Sequence, residues 1–134
     1  MGAKANLAGE VQTFGTGMDP VVIRKYIAGI IGGRTLDVSD YPLDIIKAGH
    51  IVIQSTTDET VFKPMPLAEG NTAYSTLPSN FQYVGVVVCS KPKSDPRVGI
   101  MYNGEVNDVA SPFSIDSIKS ALKAALPTLT FMHD

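Results

Sequence analysis

Ser111-Pro112-Phe113-Ser114-Ile115-Asp116-Ser117-Ile118-Lys119-Ser120-Ala121-Leu122-Lys123-Ala124-Ala125-Leu126-Pro127 is the segment of this chain with clear helical periodicity. Ile115, Ile118, Leu122 and Ala125 recur at helical spacing, and Ala121 and Leu126 widen the stripe. Ser111 or Ser114 supplies a capping hydroxyl, and Pro112 suits a first-turn position. Asp116 lies toward the positive end of the helix dipole, and Lys119 and Lys123 lie toward the negative end. Pro127 disfavours the helical conformation at Leu126 and ends the segment. These features predict a helix over about 112–126. Burying each large stripe residue stabilises by about 1.5–3 kcal/mol.

Outward from the helix, the chain reads as strand and turn. Thr128-Leu129-Thr130-Phe131-Met132 alternates as a terminal strand does. Upstream, Arg97-Val98-Gly99-Ile100-Met101-Tyr102 predicts a strand. Asn103-Gly104 then either turns a hairpin, with Glu105 to Val109 returning, or continues the strand through a bulge. Tyr83-Val84-Gly85-Val86-Val87-Val88-Cys89 is the most apolar strand and is expected at the centre of a sheet. Val86, Val88, Ile118 and Leu122 are expected in the core. Leu67 to Asn80 is polar and predicts a long surface loop.

Ile51-Val52-Ile53-Gln54 and Thr60-Val61-Phe62-Lys63 predict a hairpin, and Pro64 and Pro66 place its second strand at an edge. Arg34 to Val38 alternates around Leu36 and Asp37. Val21 to Ile31 is rich in β-branched residues and is read as a strand, although Ile23, Ile27 and Ile30 also share one helical face. The fold class is therefore α+β, mainly β. It is a small β-rich domain, barrel-like or a sandwich, spanning 21–134, with one C-terminal amphipathic helix. Residues 1–20 are small, polar and glycine-rich, with Leu7, Val11, Phe14 and Met18 as their sizeable apolar groups. They predict an extended N-terminal arm, whose ordering costs about 1–2 kcal/mol per residue and so needs a partner surface.

The chain has 134 residues, a net charge of −2, 44% hydrophobic and 18% charged residues, which predicts one globular domain. That charge gives no footprint for nucleic acid or for an anionic membrane. The apolar run from Val21 to Ile31 is too short to span a bilayer and contains Arg24 and Lys25. A single cysteine, Cys89, forms no internal disulfide.

Catalytic and metal-binding motifs are scarce. Cys89 ends an apolar strand and is expected to be a buried, inert thiol; His50 stands at a turn and is expected at the surface. Two histidines (His50 and His133) and one cysteine, all far apart, make a poor zinc set. Asp37, Asp40 and Asp44 lack the spacing of a calcium loop and fit turn chemistry. Gly29 to Arg34 has glycines but no following Lys-Ser/Thr, so it is not a phosphate-binding loop. Glu105 and Asp108 are close in sequence but show no partner that would tune them for acid–base chemistry. No catalytic, cofactor-binding or metal residue is assigned, and a non-enzymatic role is expected.

The second half resembles a known family. Lys47-Ala48-Gly49-His50-Ile51-Val52-Ile53 is followed by Phe62-Lys63-Pro64 and Tyr83-Val84-Gly85-Val86-Val87. A strand with Tyr102-Asn103-Gly104-Glu105-Val106-Asn107 then leads into the helix, Leu126-Pro127 and Phe131. This order, over residues 43–131, resembles the small head-decoration (capsid-stabilising) proteins of tailed bacteriophages, related to the head-fibre bases. The resemblance implies a virion protein, made in the host cytoplasm, that sits on the capsid surface as a homo-trimer. Its partner would be the major capsid protein, with other virion head proteins as further neighbours. Phe14, Met18, Val21 and Ile23 are the expected capsid contacts. The alternative expectation is a small cytoplasmic protein-binding adaptor without catalytic activity. A third, a small hydrolase using Glu105, Asp108 or Cys89, lacks a supporting motif.

Overall fold

A computed structural model describes residues 18–133. The expectations for residues 1–17, including the contact role of Phe14, lie outside the described residues. The domain is mainly β, with a helix near the C-terminus, as the patterning predicts.

The order of elements is α1 (Asp19–Val22), β1 (Ile23–Gly29), β2 (Arg34–Thr35), β3 (Ile45–Ile46), β4 (Ile51–Ser55), β5 (Phe62–Pro64), β6 (Phe81–Val87), β7 (Lys91–Pro92), β8 (Arg97–Val98), β9 (Ile100–Asn107), α2 (Lys119–Ala125) and β10 (Leu129–Met132). The main sheet runs β1-β9-β6-β4-β5, with β10 added alongside β9. β2 pairs with β8 and β3 with β7 in two small antiparallel sheets.

The most apolar strand, β6, is central, and the hairpin strand β5 with Pro64 is at an edge, both as read from sequence. Pro64 cannot donate to a further neighbour, so the edge position suits it. At Asn103-Gly104 the chain takes the second of the two routes: β9 continues through both residues rather than turning back. Backbone geometry explains why glycine stands at 104, since a Cβ there would collide with the Lys25 carbonyl oxygen across the strand pair. Gly85 answers the same need on β6. A Cβ there would strike the Met101 carbonyl oxygen and lie 2.8 Å from Ile100 Cγ2.

The helix is shorter than the sequence predicts. It spans Lys119–Ala125 instead of about 112–126. Neither predicted cap forms: Ser111 Oγ donates to the Asn107 carbonyl, and Ser114 Oγ accepts the Asp116 amide in a local turn. These side-chain bonds offer the backbone an alternative to the first helical turns. Ile115, Ile118, Leu122 and Leu126 are buried, while Ala125 and Ala121 face out. The buried stripe thus steps by three and then four residues from Ile115, which leaves Ala125 on the outer side.

β9, α2 and β10 form a crossover unit, because β10 runs parallel to β9 with Leu129 opposite Gly104 and Met132 opposite Asn107. α2 thereby covers one face of the sheet. There Leu122 packs with Ile51, Ile53, Val86, Met101 and Val106. On the other face Val52, Val87 and Ile100 pack with Leu36, Ile46 and Val98 from the small-sheet side. Alternation along β4 sends Ile51 and Ile53 to one core and Val52 to the other. Of the four expected core residues, Val86, Ile118 and Leu122 are buried; Val88 is half-buried and packs at the periphery.

His50 is not at the surface. It is fully buried between the two cores, and the rings of Tyr41, Tyr74 and Phe113 meet it edge-on at centroid distances of 5.5, 5.3 and 5.6 Å. Its Nε2 pairs with the Met65 carbonyl oxygen at 3.0 Å. The turn that carries it is folded inward by Gly49 (φ +90°), whose amide bonds to the Val87 carbonyl. Turn position in the sequence does not reveal that inward fold.

Candidate functional site

The segment from Met18 to Ile31 enters as an exposed turn and becomes the free edge of the main sheet. Pro20 sits in the first turn of α1, where its missing amide costs no helical bond. The turn is fixed by Asp19, which accepts hydrogen bonds from the Ser90 amide (2.8 Å) and hydroxyl (2.7 Å). Ser90 in turn accepts the Ala48 amide at 3.1 Å, so the start of β1 is tied to the end of β6. Val22 is buried in the core beneath this turn.

β1 then pairs with β9 in a register broken by irregularities between Ile23 and Lys25, between Tyr26 and Ala28, and between Ala28 and Gly29. Such bulges twist an edge strand and discourage further strand addition, as do the charges of Arg24 and Lys25. What remains on offer is a surface of side chains. Gly29 has no Cβ to occupy the space 2.5 Å from the Tyr26 hydroxyl, so that ring lies back along its own strand.

Among the described residues, the exposed large hydrophobics are Met18, Val21, Tyr26, Ile27, Ile31, Tyr102, Val109 and Met132. Five of these eight lie between residues 18 and 31, and Tyr102 and Met132 belong to β9 and β10, the strands adjoining or next to that edge. Met18 is 56% exposed, Tyr26 and Ile27 each 53%, and Ile31 94%. Scattered single apolar residues are ordinary on a surface, whereas five of them on one fourteen-residue segment are a concentration that an interaction would explain. Of the expected contact residues, Met18 and Val21 are exposed, and Ile23 is half-buried against the core.

The residues considered for chemistry are held apart. Glu105 lies 3.8 Å from Arg24 Nε, and Asp108 lies 2.9 Å from His133 Nδ1, so the two carboxylates have separate partners. Cys89 is exposed rather than buried, because β6 ends at Val87 and the chain turns outward before Ser90. His50 spends its Nε2 on Met65, and burial lowers its pKa to about 4, so it is neutral at physiological pH. Asp37 is held below the usual carboxylate range by the hydroxyl and amide of Ser39, which is turn chemistry. Asp40 lies 3.7 Å from Lys63. Among the described residues no cluster of three His, Cys, Asp or Glu side chains is placed to hold a metal ion, and no helix is long and apolar enough to cross a membrane.

No family model, curated protein or solved structure matches this chain.

Two contributors to the edge escape sequence reading. Asp19 has no nearby motif, and its partner Ser90 is far away in the chain. Tyr26 and Ile27 look like ordinary strand residues, and only the order of the sheet shows that β1 is outermost.

Proposed function

We propose that the protein is a virion structural protein that decorates a bacteriophage head by binding the lattice of the major capsid protein. The observation that carries this reading is the concentration of exposed apolar side chains on residues 18–31. That surface is directly continuous in sequence with residues 1–17, so arm and edge together provide one long contact. Asp19, bonded to Ser90, anchors the start of this edge to the domain. The order of motifs from Lys47 to Phe131 supports the same reading. Binding of this kind stabilises a head by mass action, since only the assembled lattice presents the site.

The test is co-sedimentation of the purified protein with expanded heads assembled from the capsid protein of the same phage. Saturable pelleting is expected. Deleting residues 1–18 is expected to weaken pelleting by about tenfold or more, which is roughly 1.4 kcal/mol of binding. The melting temperature of the domain itself should stay nearly unchanged. Failure of the full-length protein to pellet at any concentration tested rejects the proposal.

A second reading, a protein-binding adaptor, is favoured by a hollow of about 410 Å³ lined by Tyr41, Pro64, Pro66, Leu67 and Phe81. Light scattering separates the two: a homo-trimer supports decoration, and a monomer supports the adaptor.

A further inference from the structure

At the end of the apolar edge, the loop after β1 and the β7–β8 turn enclose an open groove of about 480 Å³. Tyr26 forms one wall, and Cys89, Lys91 and Arg97 form another. Gly33 and Gly99 line it without side chains, leaving backbone within reach of a bound segment. Gly33 is held at φ +66°, and a Cβ there would stand 2.5 Å from the Val98 carbonyl oxygen, so the close approach of the two backbones requires glycine. No aspartate or glutamate lines the groove. Among the described residues, neither Lys91 nor Arg97 pairs with a carboxylate. In a chain with a net charge of −2, a groove lined by two cations and no carboxylate is a local reversal of sign.

We infer that this groove receives an acidic, extended segment of the capsid protein, with Lys91 and Arg97 meeting its carboxylates and Tyr26 packing on an apolar side chain between them. The inference rests on the capsid-binding reading and adds the chemistry of the partner. Charge complementarity selects that occupant over β1 of a second copy of this chain, whose Lys25 would bring further positive charge against Lys91 and Arg97. Arginine offers a planar fork for a carboxylate, and an open groove at a rim favours rapid, salt-sensitive capture.

Cys89 is exposed, lines the groove and is the only cysteine in the chain, so it is a built-in reporter of occupancy. The experiment measures alkylation of Cys89 by iodoacetamide, with and without saturating heads, alongside pelleting of the Lys91→Glu/Arg97→Glu double variant. Bound protein is expected to react about tenfold or more slowly, and the double variant is expected to pellet about tenfold more weakly at low salt, with the difference shrinking at high salt. Each variant's melting temperature is recorded, and if the double variant fails to fold, the single variant Arg97→Gln replaces it. Heads that bind with unchanged Cys89 reactivity and unchanged affinity of the variants overturn the groove assignment while leaving the decoration proposal intact. Absence of any head binding overturns both.

Discussion

Replacing Leu122 by alanine is expected to lower the free energy of unfolding by about 2–5 kcal/mol, read from urea midpoints at constant slope. Leu122 is fully buried and is the residue of α2 that enters the main core. It packs in the cluster that holds Ile51 and Ile53 of β4, Val86 of β6 and Met101 and Val106 of β9, so truncation opens a void beneath three strands at once. α2 cannot settle easily into that void, because Ile118 and Leu126 at its two ends are buried in the same cluster. Ala125→Ser, one turn away on the exposed side, is expected to change stability by no more than about 0.5 kcal/mol. Equal effects at the two positions would mean that the helix does not seal the core.

Acid is expected to weaken the fold by about 3 kcal/mol as pH falls from 6.5 to about 4, through His50. The sign follows from the direction of the shift. Burial lowers the pKa of the folded state from 6.5 to about 4, against a smaller upward pull from the bond to Met65. Over that interval the unfolded chain takes up a proton that the folded chain refuses, so stability falls as pH falls. Above pH 6.5 both states are neutral at this ring, and below about 4 both are charged, so the contribution is level outside the window. Tyr41 and Tyr74, which meet the ring, remain protonated throughout, with burial raising Tyr41 to about 12 and Tyr74 further in the same direction. Asp37, lowered from an ordinary value of 3.8, gives up its small share only below this window. Urea unfolding at stepped pH measures the loss, and His50→Leu is expected to flatten it between pH 4 and 6.5. An NMR titration of the wild-type ring supplies the same information if that variant does not fold; a midpoint near 6.5 would refute the assignment.

Much of the sheet was legible from local pattern. The apolar run at 83–89, the hairpin around residue 57, the alternation after Pro127 and the edge position of Pro64 all depend on side-chain period and on what proline cannot donate. The helix was legible in place but not in length, because its early hydroxyls bond locally and delay the first turn. His50 is buried and Cys89 exposed, the reverse of what their local sequence predicts. One follows a glycine that folds the turn inward, and the other follows the last paired residue of β6, so neither burial state is encoded within a few residues. The edge surface depends on topology: which strand lies outermost is decided by β10 joining β9 and by β6 taking the centre. The groove is less visible still, since Tyr26, Cys89 and Arg97 meet only through the pairing of β2 with β8 and of β1 with β9.

The edge at residues 18–31, together with residues 1–17, is proposed to clamp a capsid lattice. Calorimetry of expanded heads with and without saturating protein tests it most directly. The account predicts a rise in the temperature at which the heads dissociate, growing with protein concentration as binding linkage requires, and a smaller rise with the Tyr26→Ser/Ile27→Ser variant. Heads that dissociate at the same temperature at every concentration of protein would contradict it.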